Sequence, residues 1–477
     1  MDYIFWYGVA VSGCFAVMLL AGLQALFLRS CTGRFIGSVT DFTLRQLVYP
    51  HLYPRLRWLG PITRLKALIL AIYCGSTVFS NAYSITNADQ ASIRAGWLSV
   101  INTIPLFLSG RAAIASKLFG ISLDGVLVTH ATTGLMVAGQ ALAHIILEVT
   151  KAQVDLRNRI QLYGITVSIA IAAILVTLWL RRPFFELFRP THAILAWFAV
   201  ISLWLHIHAG KAGQGLTKQY LGLTLILYGA MILTQLCLVV FQNMIKQRKG
   251  AQAYISIRGT DGVVLTMNLE KPLNARPGQF IYVWMGISPF ETHPFMVISE
   301  DDNDLKVLIQ SQTGFSRKLR LIAEAGDTDR GHLTWIDGPY GNPPAFGDYE
   351  SVFLVANGIG VAAHLSVLRS LLVGYHKRTV KTKRIIFYWH TETSANRTWV
   401  KDWFDELIQL DVDNILKIRM YQPDSAREDA ELEAWGQTDR VKRHFDVSKF
   451  IADLTSSIGT SVGDTIVSGK LCTVTRA

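Results

Sequence analysis

His130 and His144 stand 14 residues apart, and so do His192 and His206. At 1.5 Å and 100° per residue, that spacing covers roughly 21 Å of helix axis and returns to within about 40° of the starting direction. Each pair therefore places two imidazoles on one face of one helix, at two depths. In a hydrocarbon slab of ~30 Å, this suits two cofactors stacked along the membrane normal. Two imidazoles per depth are enough for axial bis-histidine ligation of a haem iron and too few for a tetrahedral metal site, so haem is the preferred ligand. The bland alternative is that the four are satisfied polar residues bonding between helices. Ionisable residues are rare in a bilayer and usually functional there, and the same separation occurs on two helices, which favours ligation. His208 competes with His206, but two residues of helix turn it about 160° away.

The elements that carry these residues follow from composition. The chain of 477 residues is 51% hydrophobic and only 17% charged, too apolar for an ordinary soluble globule. The apolarity is concentrated before residue 245, where seven spans are expected at about 3–28, 64–85, 96–110, 121–149, 160–180, 190–209 and 219–243. The first lacks a basic leading region and is too long for a signal-peptide core, so it reads as a retained helix. Basic residues collect after the first span (Arg29, Arg34, Arg45, Arg55, Arg57, Arg64, Lys66), after the third (Arg111, Lys117), after the fifth (Arg181, Arg182, Arg189) and after the seventh (Lys246, Arg248, Lys249). All four clusters fall on the inner side if the N-terminus is outside; Lys151, Arg157 and Arg159 are the exception. The spans with the histidines are then parallel, which gives an inner pair, His130/His192, and an outer pair, His144/His206. The net charge of +11 reports topology and contact with anionic membrane lipid rather than nucleic acid. Cys14, Cys31, Cys74, Cys237 and Cys472 lack paired spacing, which argues against a disulfide framework or thiolate metal site.

Beyond residue 250 the chain reads as a soluble module on the inner side. Short strands ("AYISIRG", "VVLTMNL", "QFIYVWM", "LKVLIQSQ", "HLTWIDGP") separated by turns predict an all-β barrel. "SVFLVANGIGVAAHLSVLRSLL" then runs from apolar strand through a glycine turn into a helix, and "RIIFYWHTE" supplies the next strand, as in a βαβ nucleotide fold. Gly358 and Gly360 match part of a phosphate fingerprint, a pattern that a structural turn would also give.

The stretches "RAGWLSVINTIPLFLSGR", "GISLDGVLVTHATTGLMVAGQALAH" and "PFFELFRPTHAILAWFAVISLWLH" resemble the third span and the two haem helices of the ferric reductase family, in its fungal ferric-chelate reductase branch; the family also contains the NADPH oxidases. The resemblance implies two b-type haems on His130, His144, His192 and His206. It also implies a polytopic all-α membrane domain of about seven helices, followed by a cytosolic ferredoxin-reductase-like module with a β-barrel FAD domain and a Rossmann-like α/β NADPH domain. The expected divisions are 1–118 (N-terminal helices and loops), 119–247 (di-haem domain), 248–346 (FAD-binding barrel) and 347–477 (NAD(P)H-binding domain). "HPFMVIS" and "GFSRKL" resemble the family's flavin motifs, which implies FAD contacts from His293, Pro294, Phe295, Met296, Ser299 and Arg317. "DGPYG" and the glycine turn imply NADPH contacts from Gly338, Gly341, Gly358 and Gly360. Arg384, His390 and Arg397 are candidates for a 2′-phosphate, although an exposed basic cluster is usually just solvated.

Some positions depart from the family pattern. Met296 stands where a hydroxyl often follows His-Pro-Phe, and Ala363 replaces a frequent proline. The end, "TIVSGKLCTVTRA", lacks the Cys-Gly-Pro motif and terminal aromatic, so an atypical or truncated C-terminus is expected. The function implied is NADPH-dependent reduction of extracellular ferric or cupric chelates through FAD and two haems in a multi-pass plasma-membrane protein. Functional coupling to an iron permease or oxidase would go with it, and no side chain is assigned a catalytic acid–base or nucleophilic role. The alternatives are a superoxide-generating NADPH oxidase, or an inactive di-haem membrane protein with a degraded dehydrogenase domain.

Overall fold

Apolar runs of some 20 residues cannot be buried in a small core, and among the described residues of the first half of the chain they become long helices. The computed structural model describes residues 46–47, 50–56, 60–151, 155–181, 183–210, 214–248, 250–288, 291–326, 328–391, 393–421, 447–460 and 463–471. The expected span 3–28, the basic residues Arg29, Arg34, Arg45, Arg57, Arg182 and Lys249, and the cysteines Cys14, Cys31 and Cys472 lie outside the described residues. Two compact units divide between residues 234 and 235.

The first unit begins with an antiparallel hairpin, β1 (His51–Leu56) and β2 (Gly60–Thr63). Seven helices follow among the described residues: α1 (Arg64–Ala82), α2 (Ala88–Gly110), α3 (Ala112–Phe119), α4 (Leu123–Val149), α5 (Arg159–Thr177), α6 (Phe185–Ala209) and α7 (Gln214–Val240). All but the short α3 are long and apolar enough to cross a membrane. Side-chain oxygens of Thr63, Asn87, Ser122 and Asn158 cap α1, α2, α4 and α5, satisfying N–H groups that have no partner within the helix. Residues such as Leu68, Ile72, Leu135, Ile169 and Ile226 stay exposed along these helices, as lipid-facing positions require.

Helix α2 holds the centre. Leu98, Ile101 and Ile104 are buried on it beside Asn102 and Thr103. Asn102 accepts from the Tyr73 hydroxyl of α1 at 2.7 Å, and Thr103 shares a 3.0 Å hydrogen bond with Thr224 of α7. The helix begins eight residues before the start expected for this span at 96: Asn87 caps it, and Arg94 donates to the Ser80 carbonyl at 3.1 Å. At one end of the bundle Lys66 pairs with Asp124 at 2.7 Å, and at the other Lys151 pairs with Asp89 and Glu148.

The second unit starts on the last turns of α7, which continue as a π-helical stretch, Phe241–Lys246. Strands β3 (Ala251–Arg258), β4 (Gly262–Asn268), β5 (Phe280–Met285), β6 (His293–Asp301), β7 (Asp304–Gln310) and β8 (His332–Tyr340) close into a barrel in the order β3-β4-β7-β6-β5-β8. Alternation fills it: Ile281, Val283 and Met285 of β5 point inward, and helix α8 (Gly314–Glu324) seals the core with Phe315, Leu319 and Ala323. A parallel sheet follows, ordered β11-β10-β9-β12, from β9 (Ser351–Asn357), β10 (Arg384–His390), β11 (Leu416–Tyr421) and β12 (Thr465–Leu471). Its helices are α9 (Ala362–His376), α10 (Lys401–Leu410) and α11 (Val447–Gly459). The strands are nearly continuously apolar because both faces are covered, one by the cluster of Leu354, Leu368 and Phe404, the other by Phe450, Leu454 and Ile458. The segment Gly358–His376 also has the length and hydropathy of a membrane span, but 67% of it is buried, and it packs in this α/β layer instead.

Candidate functional site

The four bundle histidines meet in two cross-helix pairs. His130 of α4 and His192 of α6 have ring centroids 6.3 Å apart and planes crossed at 64°. His144 and His206 repeat the arrangement at 6.3 Å and 72°. Two metal–nitrogen bonds of about 2.0 Å, plus roughly 1.1 Å from each nitrogen to its ring centre, span about 6.2 Å. An iron between each pair therefore fits the separation. His208 is exposed on α6 and joins neither pair.

Three of the four Nδ1 atoms are held by backbone carbonyls. Nδ1 of His130 lies 3.1 Å from the Leu106 carbonyl, Nδ1 of His144 2.9 Å from that of Ser92, and Nδ1 of His206 2.9 Å from that of Ile160. Donation from Nδ1 to a carbonyl fixes the tautomer that leaves Nε2 free as a ligand, the usual support of a metal-bound imidazole. Nδ1 of His192 is buried and has no hydrogen-bond partner, while its ring packs 5.1 Å from that of Phe188. Glycines let the rings sit this close. A Cβ on Gly164 of α5 would stand 3.1 Å from Cε1 of His206, and one on Gly96 of α2 would stand 3.3 Å from Nδ1 of His144. Ser92, Gly96 and Gly164 are absent from the sequence-based candidates; a glycine facing the histidine helices is the signal that could have found two of them.

In the second unit, strand alternation divides the expected flavin residues. His293 and Phe295 turn toward helix α8, where His293 stacks on Phe315 at 4.6 Å and 14°. Pro294 and Met296 lie on the other face, opposite Tyr282 and Phe280 of β5, and Met296 packs against the core of the parallel sheet. The stack on Phe315 joins the "HPFMVIS" and "GFSRKL" segments and sets exposed Arg317 on the first turn of α8. Ser299 Oγ is buried without a partner. An aromatic face formed by Phe280, Tyr282 and Tyr340, an open cation on a helix N-terminal turn and an unused buried hydroxyl together fit a planar, anionic cofactor. Burial, and next the neighbouring Asp337 carboxylate, push the Tyr340 phenol far above its ordinary range, so it remains a donor to Asp337.

The four expected nicotinamide glycines fall in two groups. Gly358 and Gly360 are buried in the turn at the carboxyl end of β9, between β10 and β12, where the strand order reverses. That is where an open α/β sheet offers a phosphate its crevice, and Gly358 needs its freedom there, with φ of 50°. Gly338 and Gly341 serve the barrel: a Cβ on Gly338 would lie 3.3 Å from the Ile281 Cα, and one on Gly341 3.5 Å from the Phe280 ring. His390 ends β10 and bonds Asn357 at 2.9 Å, beside the Gly358 turn. Arg384 stands at the opposite, amino end of β10, over the Phe353 ring, and donates to the Ser457 carbonyl and Thr460 hydroxyl; it is thus removed from the expected 2′-phosphate cluster.

Three family models match consecutive parts of the chain: a ferric reductase like transmembrane component over residues 95–203, an FAD-binding domain over 248–344 and a ferric reductase NAD binding domain over 349–469. The respiratory burst oxidase homolog protein D of Arabidopsis thaliana is 28% identical over 315 residues, covering 54% of this chain and 33% of its own length. Ferric/cupric reductase transmembrane component 7 of Saccharomyces cerevisiae is 25% identical over 353 residues, covering 69% of this chain and 55% of its own. The chain thus spans about half or less of the curated relatives it matches.

Proposed function

Because the chain belongs to the ferric reductase family, with a multi-pass membrane component and two nucleotide-binding domains in one polypeptide, we propose that it reduces ferric or cupric chelates on the outer face of a membrane, at the expense of NADPH on the inner face. FAD bound to the barrel would convert a hydride into single electrons, and two b-type haems on His130/His192 and His144/His206 would carry them singly across. The observation that carries this reading is the repetition of one bis-histidine geometry at two levels of the bundle, 14 residues apart on both helices.

The chain's own groups hold these parts in place. Backbone carbonyls of Leu106, Ser92 and Ile160 orient three of the four imidazoles toward a ligand between them. Arg317 and the first turn of α8 offer positive charge to a pyrophosphate, and Pro294 with Met296 offers an apolar face to the flavin ring. The turn at Gly358 and Gly360 admits a nicotinamide nucleotide at the carboxyl edge of the sheet. By the positive-inside rule, the basic residues that follow the expected third, fifth and seventh spans in sequence would put the nucleotide domains on the cytosolic side, and the plasma membrane is the proposed site of action.

The metal acceptor is favoured by the yeast reductase, which matches 69% of this chain. A second reading, reduction of oxygen to superoxide, is favoured by the plant respiratory burst oxidases, which match the chain over a shorter stretch. Membrane vesicles given NADPH separate the two. Ferric-chelate reduction that persists with superoxide dismutase present is expected; loss of the signal on adding the dismutase would turn the assignment to the oxidase. NADPH-dependent haem reduction in neither assay would leave the inactive di-haem reading.

A further inference from the structure

The two histidine pairs differ in what stands behind them. At the His130/His192 level, Nδ1 of His130 lies 3.1 Å from the Leu106 backbone carbonyl, and buried Nδ1 of His192 has no hydrogen-bond partner. At the other level His144 Nδ1 lies 2.9 Å from both the carbonyl and the hydroxyl oxygen of Ser92. That hydroxyl donates its one proton to Oε1 of Glu148, so toward the imidazole it can only accept. A directed chain results, from His144 Nδ1–H to Ser92 Oγ–H to the Glu148 carboxylate. Ser92 is fully buried, whereas the Glu148 side chain is 48% exposed and is held on its outer flank by Lys151 at 2.8 Å, which also grips Asp89 at 2.7 Å.

A carboxylate acting behind a metal-bound imidazole raises its basicity and favours the more oxidised metal. The direct field of a half-exposed carboxylate is screened, so the buried hydroxyl is what transmits the polarisation. We propose that Ser92 and Glu148 are positioning residues that lower the reduction potential at the His144/His206 level and leave the His130/His192 level unchanged. The inference rests on the haem reading of the two pairs. Its consequence is a more strongly reducing exit site, which shifts driving force from the passage between the two levels to the final delivery to the acceptor.

A redox titration of the full-length protein, followed in the haem absorption bands, tests it. Glu148→Gln keeps the size and an acceptor for Ser92 but removes the charge. It is expected to make one of two components roughly tenfold easier to reduce, about 59 mV for a one-electron couple, with the other unmoved. Ser92→Ala is expected to act in the same direction, Ser92→Thr to restore the original value, and Lys151→Met, which frees the carboxylate from its cation, to act in the opposite one. Two retained haems with potentials unmoved in Glu148→Gln, or both moved equally, would overturn the proposal. Should Ser92→Ala lose haem, Glu148→Gln alone decides. Absence of two haem components from the unsubstituted protein would instead overturn the bis-histidine reading beneath it.

Discussion

Gly164 sets how near His206 can come to helix α5. With a Cβ already 3.1 Å from Cε1 of the imidazole, the branched carbons of valine have nowhere to go unless the ring turns. Gly164→Val is therefore expected to cost about 1–3 kcal/mol of packing and to lower haem content from two per chain toward one. Pyridine haem quantification against protein checks this, and an unaltered haem ratio would contradict it. His144→Leu is expected to remove one haem and leave flavin content intact, measured on the same preparation. The spacing of the four histidines was legible in the sequence because helix periodicity is local. Their supporting carbonyls at Leu106, Ser92 and Ile160 were not, since which carbonyl meets which ring depends on how α2 and α5 pack on α4 and α6.

At the scale of elements, amide side chains do the work of missing backbone partners where α7 gives way to the barrel. Asn243 accepts from the Ile336 N–H and donates to the Ile336 carbonyl, both at 2.8 Å, as a neighbouring strand would. Gln247 does the same for the 270–271 backbone. Asn243→Ala strands two buried backbone groups on β8 at a cost of about 1–3 kcal/mol each. A lower thermal midpoint for flavin release is expected, and an unchanged midpoint would show that water replaces the amide. The barrel strands and the βαβ order could be read from alternation and turn residues. The bounds of α2 could not, because its polar first two turns depend on the Asn87 cap and on Arg94 reaching back to the last turn of α1 and to the Tyr83 carbonyl beyond it. Strand polarity likewise decides the place of Arg384, which proximity in sequence to His390 does not reveal.

For the whole molecule, the proposed orientation rests on the distribution of basic residues in the sequence, which would give the histidine levels an inside and an outside. A tag on the C-terminus is expected to be inaccessible in intact cells and to become accessible on permeabilisation, with labelling of intact cells contradicting the orientation. Helix α9 shows why hydropathy alone is insufficient at this scale. It is as apolar as a membrane span, yet the parallel sheet buries it. Transfer of electrons across the bundle depends most directly on the number of haems. A reduced-minus-oxidised spectrum of the purified full-length chain, with pyridine haem quantification, is expected to show b-type haem at two per polypeptide; one or none would contradict the assignment of His130, His144, His192 and His206.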